Sequence, residues 1–276
     1  MDKTFKKYLW PGCTALVTGA SSGMGLEYAR QLAASGCGVV MVSNQQHELE
    51  QCAAELKAAY SADIRPLFCD LSRLEAADEL DSYCEENGLK IDILINNAGM
   101  FFFHELKGDY CRKSDIMLRL HILTPARLCE IFGNRMKERG GGYILNVSSV
   151  AAKMQFPGMV TYGSTKAFLY SFSRSLYYEM KPYHVVVTTV CPGAVDTSLY
   201  SVLPQIDKLF KVGKKLGVVM TPDKLVRKAL RAMFRKKRSV VPGFINHFFA
   251  PIVNLLPVWA VNRIWMKMWL EEGKGE

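Results

Sequence analysis

Residues 14–25, Thr14-Ala-Leu-Val-Thr-Gly-Ala-Ser-Ser-Gly-Met-Gly25, decide how this chain folds. The first five residues are β-branched or apolar, the next seven include Gly19, Gly23 and Gly25, and residues 26–34 have helical composition. A strand, a glycine-rich turn and a helix in this order aim backbone N–H groups and a helix N-terminus at a phosphate. The glycines allow a tight turn and a close approach of the backbone to the ligand. The stretch therefore predicts a nucleotide site, although an ordinary strand-to-helix turn could use the same residues.

Apolar strand-like segments and helical segments alternate along the rest of the chain. The predicted strands are 14–18, 38–42, 64–68, 91–96, 142–148, 184–191 and 239–241, and the predicted helices are 24–35, 46–59, 74–86, 114–137 and 160–180. This alternation predicts an α/β fold, a Rossmann-like doubly wound parallel sheet with helices on both faces. In such a sheet the ligand sits at the carboxyl ends of the strands, beside the point where the strand order reverses.

A serine, a tyrosine and a lysine follow the fifth predicted strand at fixed spacing. Ser149 comes directly after that strand, and Tyr162 and Lys166 lie four residues apart, on one face of the helix predicted at 160–180. A phenol has a pKa of about 10, and a nearby cation favours the phenolate, so the pair is suited to proton transfer. Taken singly, Ser149 could be a strand-end cap and Lys166 a solvated helix lysine.

Six motifs together make the chain resemble the short-chain dehydrogenases/reductases. They are residues 18–25, Asp70 in Cys-Asp-Leu-Ser, Asn96-Asn-Ala-Gly99, Asn146-Val-Ser-Ser149, Tyr162-x-x-x-Lys166 and Pro192-Gly193. They occur in the family's order and cover residues 12 to about 198. The resemblance implies an NAD(P)-dependent oxidoreductase that acts on CH–OH or C=O groups, with no metal and no protein nucleophile.

The resemblance also implies the role of each site residue. Tyr162 would be the general acid in reduction and the general base in oxidation, and Ser149 would hydrogen-bond the substrate oxygen. Lys166 would lower the pKa of Tyr162 and bind the nicotinamide ribose. The residues expected to hold the cofactor are Gly19, Ser21, Ser22, Gly23, Met24, Gly25, Ser43, Asn44, Asp70, Leu71, Asn97, Ala98, Gly99, Tyr162, Lys166, Pro192, Gly193, Val195 and Thr197.

The end of the second predicted strand bears on the choice of cofactor. Residues 39–47 contain no acidic side chain that would bind the ribose 2′-OH of NAD and repel a 2′-phosphate. Ser43 and Asn44 could bond such a phosphate, but no arginine lies near Asn44. His47 is either a substitute for that arginine or a surface histidine at a helix start. We therefore favour NADP(H) over NAD(H).

His121 departs from the family pattern. Many relatives have an asparagine in the long helix before the fifth strand, where it helps to support a water-linked proton path to the lysine. Here the matching segment is Leu118-Arg-Leu-His-Ile-Leu-Thr124. A histidine can both donate and accept, so His121 could serve as a catalytic proton relay. It could equally be a buried histidine bonded to a backbone carbonyl.

The segments expected beside the nicotinamide are apolar and aromatic. They are residues 100–104, 154–159 and 199–200, which include Phe101, Phe102, Phe103 and Phe156. Such a lining predicts a small lipophilic ketone or secondary alcohol, steroid-like or fatty-chain, although any one phenylalanine could instead belong to the core. The basic segment described next leaves a CoA thioester as a further possible substrate. The alternative function is an NAD(P)-binding sensor or scaffold with little turnover, which the intact Ser149, Tyr162 and Lys166 disfavour.

Positive charge is concentrated in the last third of the chain. Residues 207–238 hold twelve Lys or Arg and two Asp, whereas the whole chain has a net charge of +9. This is either a solvated helix face or a surface that attracts an anionic membrane or a phosphate-bearing ligand. Residues 244–270 are rich in aromatic and aliphatic side chains, which suits a lid, an oligomer contact or a peripheral membrane contact. We expect no nucleic-acid partner because no recognition motif is present.

The domain organisation follows from length and composition. A chain of 276 residues, 49% hydrophobic and without a Pro/Gly/Ser-rich linker, suits one α/β domain. We predict an NAD(P)-binding Rossmann-fold domain over 1–243, with a substrate lid at about 197–238, and a C-terminal extension over 244–276. Eight cysteines without a Cys-x-x-Cys pair indicate a reducing compartment, and no secretory signal or spanning segment is evident. We expect a cytoplasmic homodimer or tetramer, and a peripheral membrane contact through 244–270 is the alternative to a lid or oligomer contact there.

Overall fold

The computed structural model describes residues 5–102, 111–153, 157–197 and 219–243, together with Trp259 and Arg263. Its strands are β1 Thr14–Thr18, β2 Gly38–Ser43, β3 Ile64–Phe68, β4 Ile93–Asn96, β5 Gly142–Val147, β6 Val185–Val190 and β7 Ser239–Val240. They form one parallel sheet in the order β3-β2-β1-β4-β5-β6-β7. Because β1 pairs with both β2 and β4, the order reverses at β1, as predicted for a doubly wound sheet.

The described chain has seven α-helices, and six of them, all but α4, pack on the two faces of the sheet. They are α1 Gly23–Ala34, α2 Gln46–Ala59, α3 Ala76–Glu86, α4 Cys111–Leu118, α5 Thr124–Glu138, α6 Val160–Met180 and α7 Pro222–Phe234. One apolar core joins the sheet to α1, α2 and α7, and the other joins it to α3, α5 and α6. Apolar residues on both sides of each central strand explain why those strands are continuous hydrophobic runs. The predicted α/β fold class is confirmed.

The strand register brings the predicted motifs to one edge of the sheet. Thr18 pairs with Val42, and Val147 pairs with Val190, so these strands end at nearly the same level. Gly19 therefore leaves the sheet beside the turns that carry Asn97, Ser149 and Pro192. These segments are far apart in sequence, and the parallel topology alone places them together.

The helix predicted at 114–137 is three consecutive pieces. Helix α4 ends at Leu118, a π-turn covers Arg119–Leu123, and α5 begins at Thr124. Pro125 supplies a physical reason, because a proline inside an α-helix has no N–H and its ring collides with the carbonyl four residues earlier. That carbonyl belongs to His121. The wider π-turn relieves the collision, and the Thr124 N–H bonds to the Arg119 carbonyl instead.

Helix α7 was not among the helices predicted from the sequence. In the structure its apolar face belongs to the core. It buries Leu225, Val226, Leu230 and Met233 against the sheet and α1, and it exposes its basic side chains. The basic side chains of residues 222–234 therefore lie on an exposed face of a core helix. The lid remains a prediction for residues 198–218, which lie outside the described part.

The predicted C-terminal extension lies almost wholly outside the described residues. Only Trp259 and Arg263 are described there, and both are exposed. Within the part of the chain that the structure describes, no helix has the length and apolar character needed to cross a membrane.

Candidate active site

A glycine cradle follows β1. Gly19 and Gly23 have φ angles of +65° and +53°, a region that disfavours side chains. A Cβ on Gly25 would lie 1.9 Å from the Gly19 carbonyl oxygen, and a Cβ on Gly19 would lie 2.9 Å from the Ala98 Cα. The turn can therefore take this shape only with glycine at these positions, and it leads directly into the N-terminus of α1.

Thr18 ties the glycine turn to the segment after β4. Its Oγ1 accepts hydrogen bonds from the backbone N–H groups of Asn97 and Ala98, at 2.9 and 3.0 Å. The Asn97 side chain donates back to the Thr18 carbonyl at 3.0 Å. Two loops from neighbouring strands are thus locked side by side along the floor of a cleft.

The cleft has a volume of about 600 Å³ and runs along the carboxyl edge of the sheet. Every residue predicted to hold the cofactor lines it except Gly25, which packs against the Gly19 carbonyl. Ser149, Tyr162 and Lys166 line the same cleft. Residues predicted from separate motifs are therefore brought together in one site.

The cleft fits a dinucleotide. The cradle leaves no room for a Cβ at Gly25 and presents the first turn of α1, as a pyrophosphate site requires. The Asn97 Oδ1 atom is buried and has no hydrogen-bond partner among the described residues, so a polar ligand group would satisfy it. When bound, a nicotinamide cofactor would supply the hydride, and the chain itself would supply protons and orientation.

Polar side chains close the end of the cleft beside β2. Ser21 Oγ is 2.9 Å from Ser43 Oγ and 2.9 Å from Gln45 Oε1, and the Gln45 N–H donates to Ser43 Oγ at 3.1 Å. Asn44 is exposed beside this network and also lines the cleft. No carboxylate is contributed by residues 43–46, so a bound phosphate would meet hydroxyl and amide groups here.

Ser149, Tyr162 and Lys166 sit where β5 meets α6. Ser148 anchors the helix, because its hydroxyl donates to the Lys166 carbonyl at 2.7 Å. The Ser149 hydroxyl accepts from the Ala151 N–H at 3.1 Å, which leaves its own proton to donate. Lys166 Nζ donates to the Val147 carbonyl at 3.0 Å and lies 5.8 Å from the centre of the Tyr162 ring.

Burial controls the protonation of this group. It raises the pKa of Tyr162, and the hydrogen bond with Ser149 only partly opposes this. Burial also lowers the pKa of Lys166 to about 8. Burial acts more strongly on the Tyr162 pKa than the Ser149 hydrogen bond does, and the lowering by Lys166 that the resemblance implied stays a prediction. A phenol that holds its proton at neutral pH is suited to donating it.

His121 is buried behind the cleft rather than in its lining. Its Nε2 accepts from the Met100 backbone N–H at 3.0 Å, and its Nδ1 is 3.0 Å from Thr165 Oγ1. The ring packs against Gly99, where an added Cβ would be 3.0 Å from Nε2. The sequence left two roles open for His121, a proton relay and a buried structural histidine. In the structure both ring nitrogens have hydrogen-bond partners.

Comparison with known protein families decides the assignment. The model of the family described as short chain dehydrogenase matches residues 13–205, which is more than half of the chain. The chain belongs to the short-chain dehydrogenase family. It is an oxidoreductase that acts on carbonyl or hydroxyl groups with a nicotinamide cofactor, as the resemblance implied.

Relatives of this short-chain dehydrogenase extend over nearly the whole chain. The very-long-chain 3-oxoacyl-CoA reductase of Anas platyrhynchos is 30% identical over 262 residues, which are 93% of this chain and 80% of the relative. A short-chain dehydrogenase from Sphingobium yanoikuyae, solved in complex with NADPH, is 27% identical with a TM-score of 0.74, covering 89% of this chain and 96% of that chain. The bulky-bulky ketone specific alcohol dehydrogenase from Comamonas testosteroni is 29% identical with a TM-score of 0.72, covering 89% and 95%.

Four polar residues that position this site were not predicted as site residues from the sequence. Ser72 donates through its N–H and its hydroxyl to Asp70 Oδ1, at 3.0 and 2.8 Å. An Asp followed two residues later by Ser is a recognisable turn signal, so Ser72 could have been found. The others are Thr18, Gln45 and Thr165, whose partners are distant in sequence or visible only once α6 and the π-turn are packed.

Proposed function

We propose that this short-chain dehydrogenase uses NADPH to reduce a lipophilic ketone to a secondary alcohol, with Tyr162 as the general acid. The observation that carries this proposal is the convergence of Ser149, Tyr162 and Lys166 on the wall of a cleft that fits a dinucleotide. Each group alone has an ordinary structural explanation. A protonated phenol, a serine donor and a buried ammonium on one cofactor cleft together supply what carbonyl reduction requires.

Proton delivery can be assigned to atoms of the chain. Ser149 accepts from the Ala151 N–H and is hydrogen-bonded to Tyr162, and its hydroxyl proton would be donated to the carbonyl oxygen of a bound ketone instead. The Tyr162 hydroxyl, kept protonated by burial, would then give its proton to the same oxygen as the alkoxide forms. Lys166 uses one of its three N–H donors on Val147, so two remain for the hydroxyl groups of a bound ribose.

NADP(H) is the favoured cofactor. The residues at the end of β2 are Ser43, Asn44 and Gln45, which offer hydroxyl and amide groups and no carboxylate. A carboxylate at this place would repel a 2′-phosphate. The relative from Sphingobium yanoikuyae was solved with NADPH, which supports the same choice.

The open wall of the cleft favours a lipophilic substrate. Met100, Phe101, Ile116 and Leu120 line it on the side of Tyr162, and the Phe101 ring packs edge-on against Tyr162 with centroids 4.8 Å apart. We place fatty 3-oxoacyl thioesters first among candidates, because relatives at 30% identity carry that activity in their name. Bulky ketones come next, since a neighbour at 29% identity is specific for them.

A substrate panel tests the proposal. Purified protein with NADPH is offered 3-oxoacyl-CoA thioesters of increasing chain length, steroid ketones and small water-soluble ketones, and loss of the nicotinamide absorbance is followed. We expect kcat/KM to rise with the apolar surface of the ketone. If NADPH binds but no class of ketone is reduced, the chain is a nucleotide-binding sensor or scaffold and the proposal fails.

A further inference from the structure

The hydrogen bonds around His121 allow only one arrangement of its protons. Thr165 donates its single hydroxyl proton to the Tyr162 carbonyl at 2.8 Å, so toward His121 it can only accept, which places a proton on Nδ1. The Met100 backbone N–H can only donate, so Nε2 must carry a lone pair. A proton on Nε2 would point one donor at another. His121 is therefore neutral, with its proton on Nδ1.

The charges around the ring agree with this assignment. Burial, followed by the positive charge of Lys166, holds the pKa of His121 well below its ordinary value. The other titratable side chain against it is Tyr162, whose ring lies edge-on with centroids 5.9 Å apart. Among the described residues no carboxylate faces His121 to stabilise an imidazolium.

We propose that His121 is an uncharged positioning residue that braces the segment after β4 against the turn of α6 that carries Tyr162. This inference rests on the proposed role of Tyr162. The brace runs from the Met100 N–H through the imidazole to Thr165, and from Thr165 to the Tyr162 carbonyl. Phe101, next to Met100 in the chain, packs on the Tyr162 ring, so both the backbone and the ring of Tyr162 are held.

The brace excludes the relay role that the sequence left open. A relay must take up a proton on one atom while releasing another, and here Nε2 faces the Met100 backbone N–H, which does not pass on its proton. An asparagine could reproduce the Nδ1–H donor toward Thr165, and a glutamine could reproduce the Nε2 acceptor toward Met100. Only histidine, at the place where the π-turn widens the helix, reaches both partners.

Nitrogen NMR of histidine-labelled protein tests the proton assignment without any turnover. The chain has five histidines, and the signal lost in His121→Asn identifies residue 121. We expect the Nδ1–H tautomer at every pH from about 5 to about 9, a range in which exposed histidines titrate. An Nε2–H tautomer, or a signal that titrates in this range, would overturn the inference and leave the proposed function intact.

Kinetics test whether the brace positions Tyr162. Thr165→Val removes the acceptor for Nδ1–H, whereas Thr165→Ser keeps it. We expect Thr165→Val to lower kcat by roughly tenfold to a hundredfold, the effect of a misplacement of up to about 1 Å, with NADPH affinity and the shape of the pH–rate profile unchanged. Thr165→Ser should restore most of kcat.

The double variant provides the discriminating control. His121→Gln and Thr165→Val break the same bond, so combining them should cost little more than either alone. Full additivity of the two losses would contradict a shared brace, as would a wild-type kcat in both single variants. A pH–rate profile shifted by His121→Gln would instead revive the relay.

Discussion

Lys166 should destabilise the cofactor-free protein at neutral pH. The residue is 5% exposed, and burial lowers its pKa to about 8. The folded protein therefore releases this proton near pH 8, whereas an unfolded chain keeps it until about pH 10.5. Within this window the unfolded state binds more protons, so the contribution of Lys166 to the free energy of unfolding rises with pH. Below pH 8 the full cost of burying the charge is present.

The size of the effect follows from the two pKa values. The interval from about 8 to 10.5, at about 1.4 kcal/mol per pH unit, corresponds to roughly 3 to 4 kcal/mol. Lys166→Met removes this cost while keeping the length of the side chain. It also removes the donor to the Val147 carbonyl, which costs about 1 kcal/mol. The variant should therefore be more stable than the wild type by roughly 2 to 3 kcal/mol at pH 7.

Denaturant unfolding of the cofactor-free protein at several pH values measures this difference. The advantage of Lys166→Met should shrink as the pH rises from about 8 to about 10 and disappear near the upper end. Lys57→Met, at an exposed position on α2, is the matched control and should show no such trend. A variant that is less stable than the wild type at pH 7, or a difference independent of pH, would refute the reasoning. Catalysis should be lost in Lys166→Met, so stability and activity would move in opposite directions.

Three further outcomes are expected. Tyr162→Phe keeps the ring contacts with Phe101 and His121 and removes the acid, so kcat should fall by roughly 10² to 10⁴ while NADPH affinity survives; wild-type turnover would disprove the assignment. Asn44→Asp places a carboxylate beside Ser43, so the ratio of the NADH to the NADPH dissociation constant should fall by about tenfold or more, and an unchanged ratio would place the 2′-phosphate elsewhere. Gly25→Ala forces a Cβ to within 1.9 Å of the Gly19 carbonyl, so it should cost about 1–3 kcal/mol of stability and weaken NADPH binding. Gly38→Ala, whose Cβ would meet nothing closer than 3.5 Å, is its control, and equal effects of the two would contradict the cradle.

The fold was readable because its signals are local and repeated. Val39–Val42 and Val185–Val190 are continuous runs of apolar or β-branched residues, and such a run predicts a strand that is buried on both faces of a parallel sheet. The π-turn at Arg119–Leu123 was not predicted, because a proline inside a helical pattern can kink, end or widen a helix. Helix α7 was not predicted because its many basic residues are typical of an exposed segment. The apolar stripe that packs on α1 is interleaved with them in the sequence.

The site was predictable where chemistry requires a fixed spacing. Gly19 and Gly23 need unusual backbone angles, and Tyr162 and Lys166 need one helix face, so each pattern is visible in the sequence. Protonation was not predictable, because it depends on burial, which raises the pKa of Tyr162 despite the neighbouring lysine. The partners of His121 were also hidden, since Met100 and Thr165 are 21 and 44 residues away.

Deuterium transfer is the most direct test that this cleft reduces a ketone. NADPH that carries deuterium at the transferable position of the nicotinamide is incubated with the protein and a long-chain 3-oxoacyl-CoA, and the product is analysed by mass spectrometry. We predict one deuterium per molecule, on the carbon that was the ketone, and its loss in Tyr162→Phe. Tight NADPH binding without any deuterated alcohol, from this substrate or from a bulky ketone, would contradict the account.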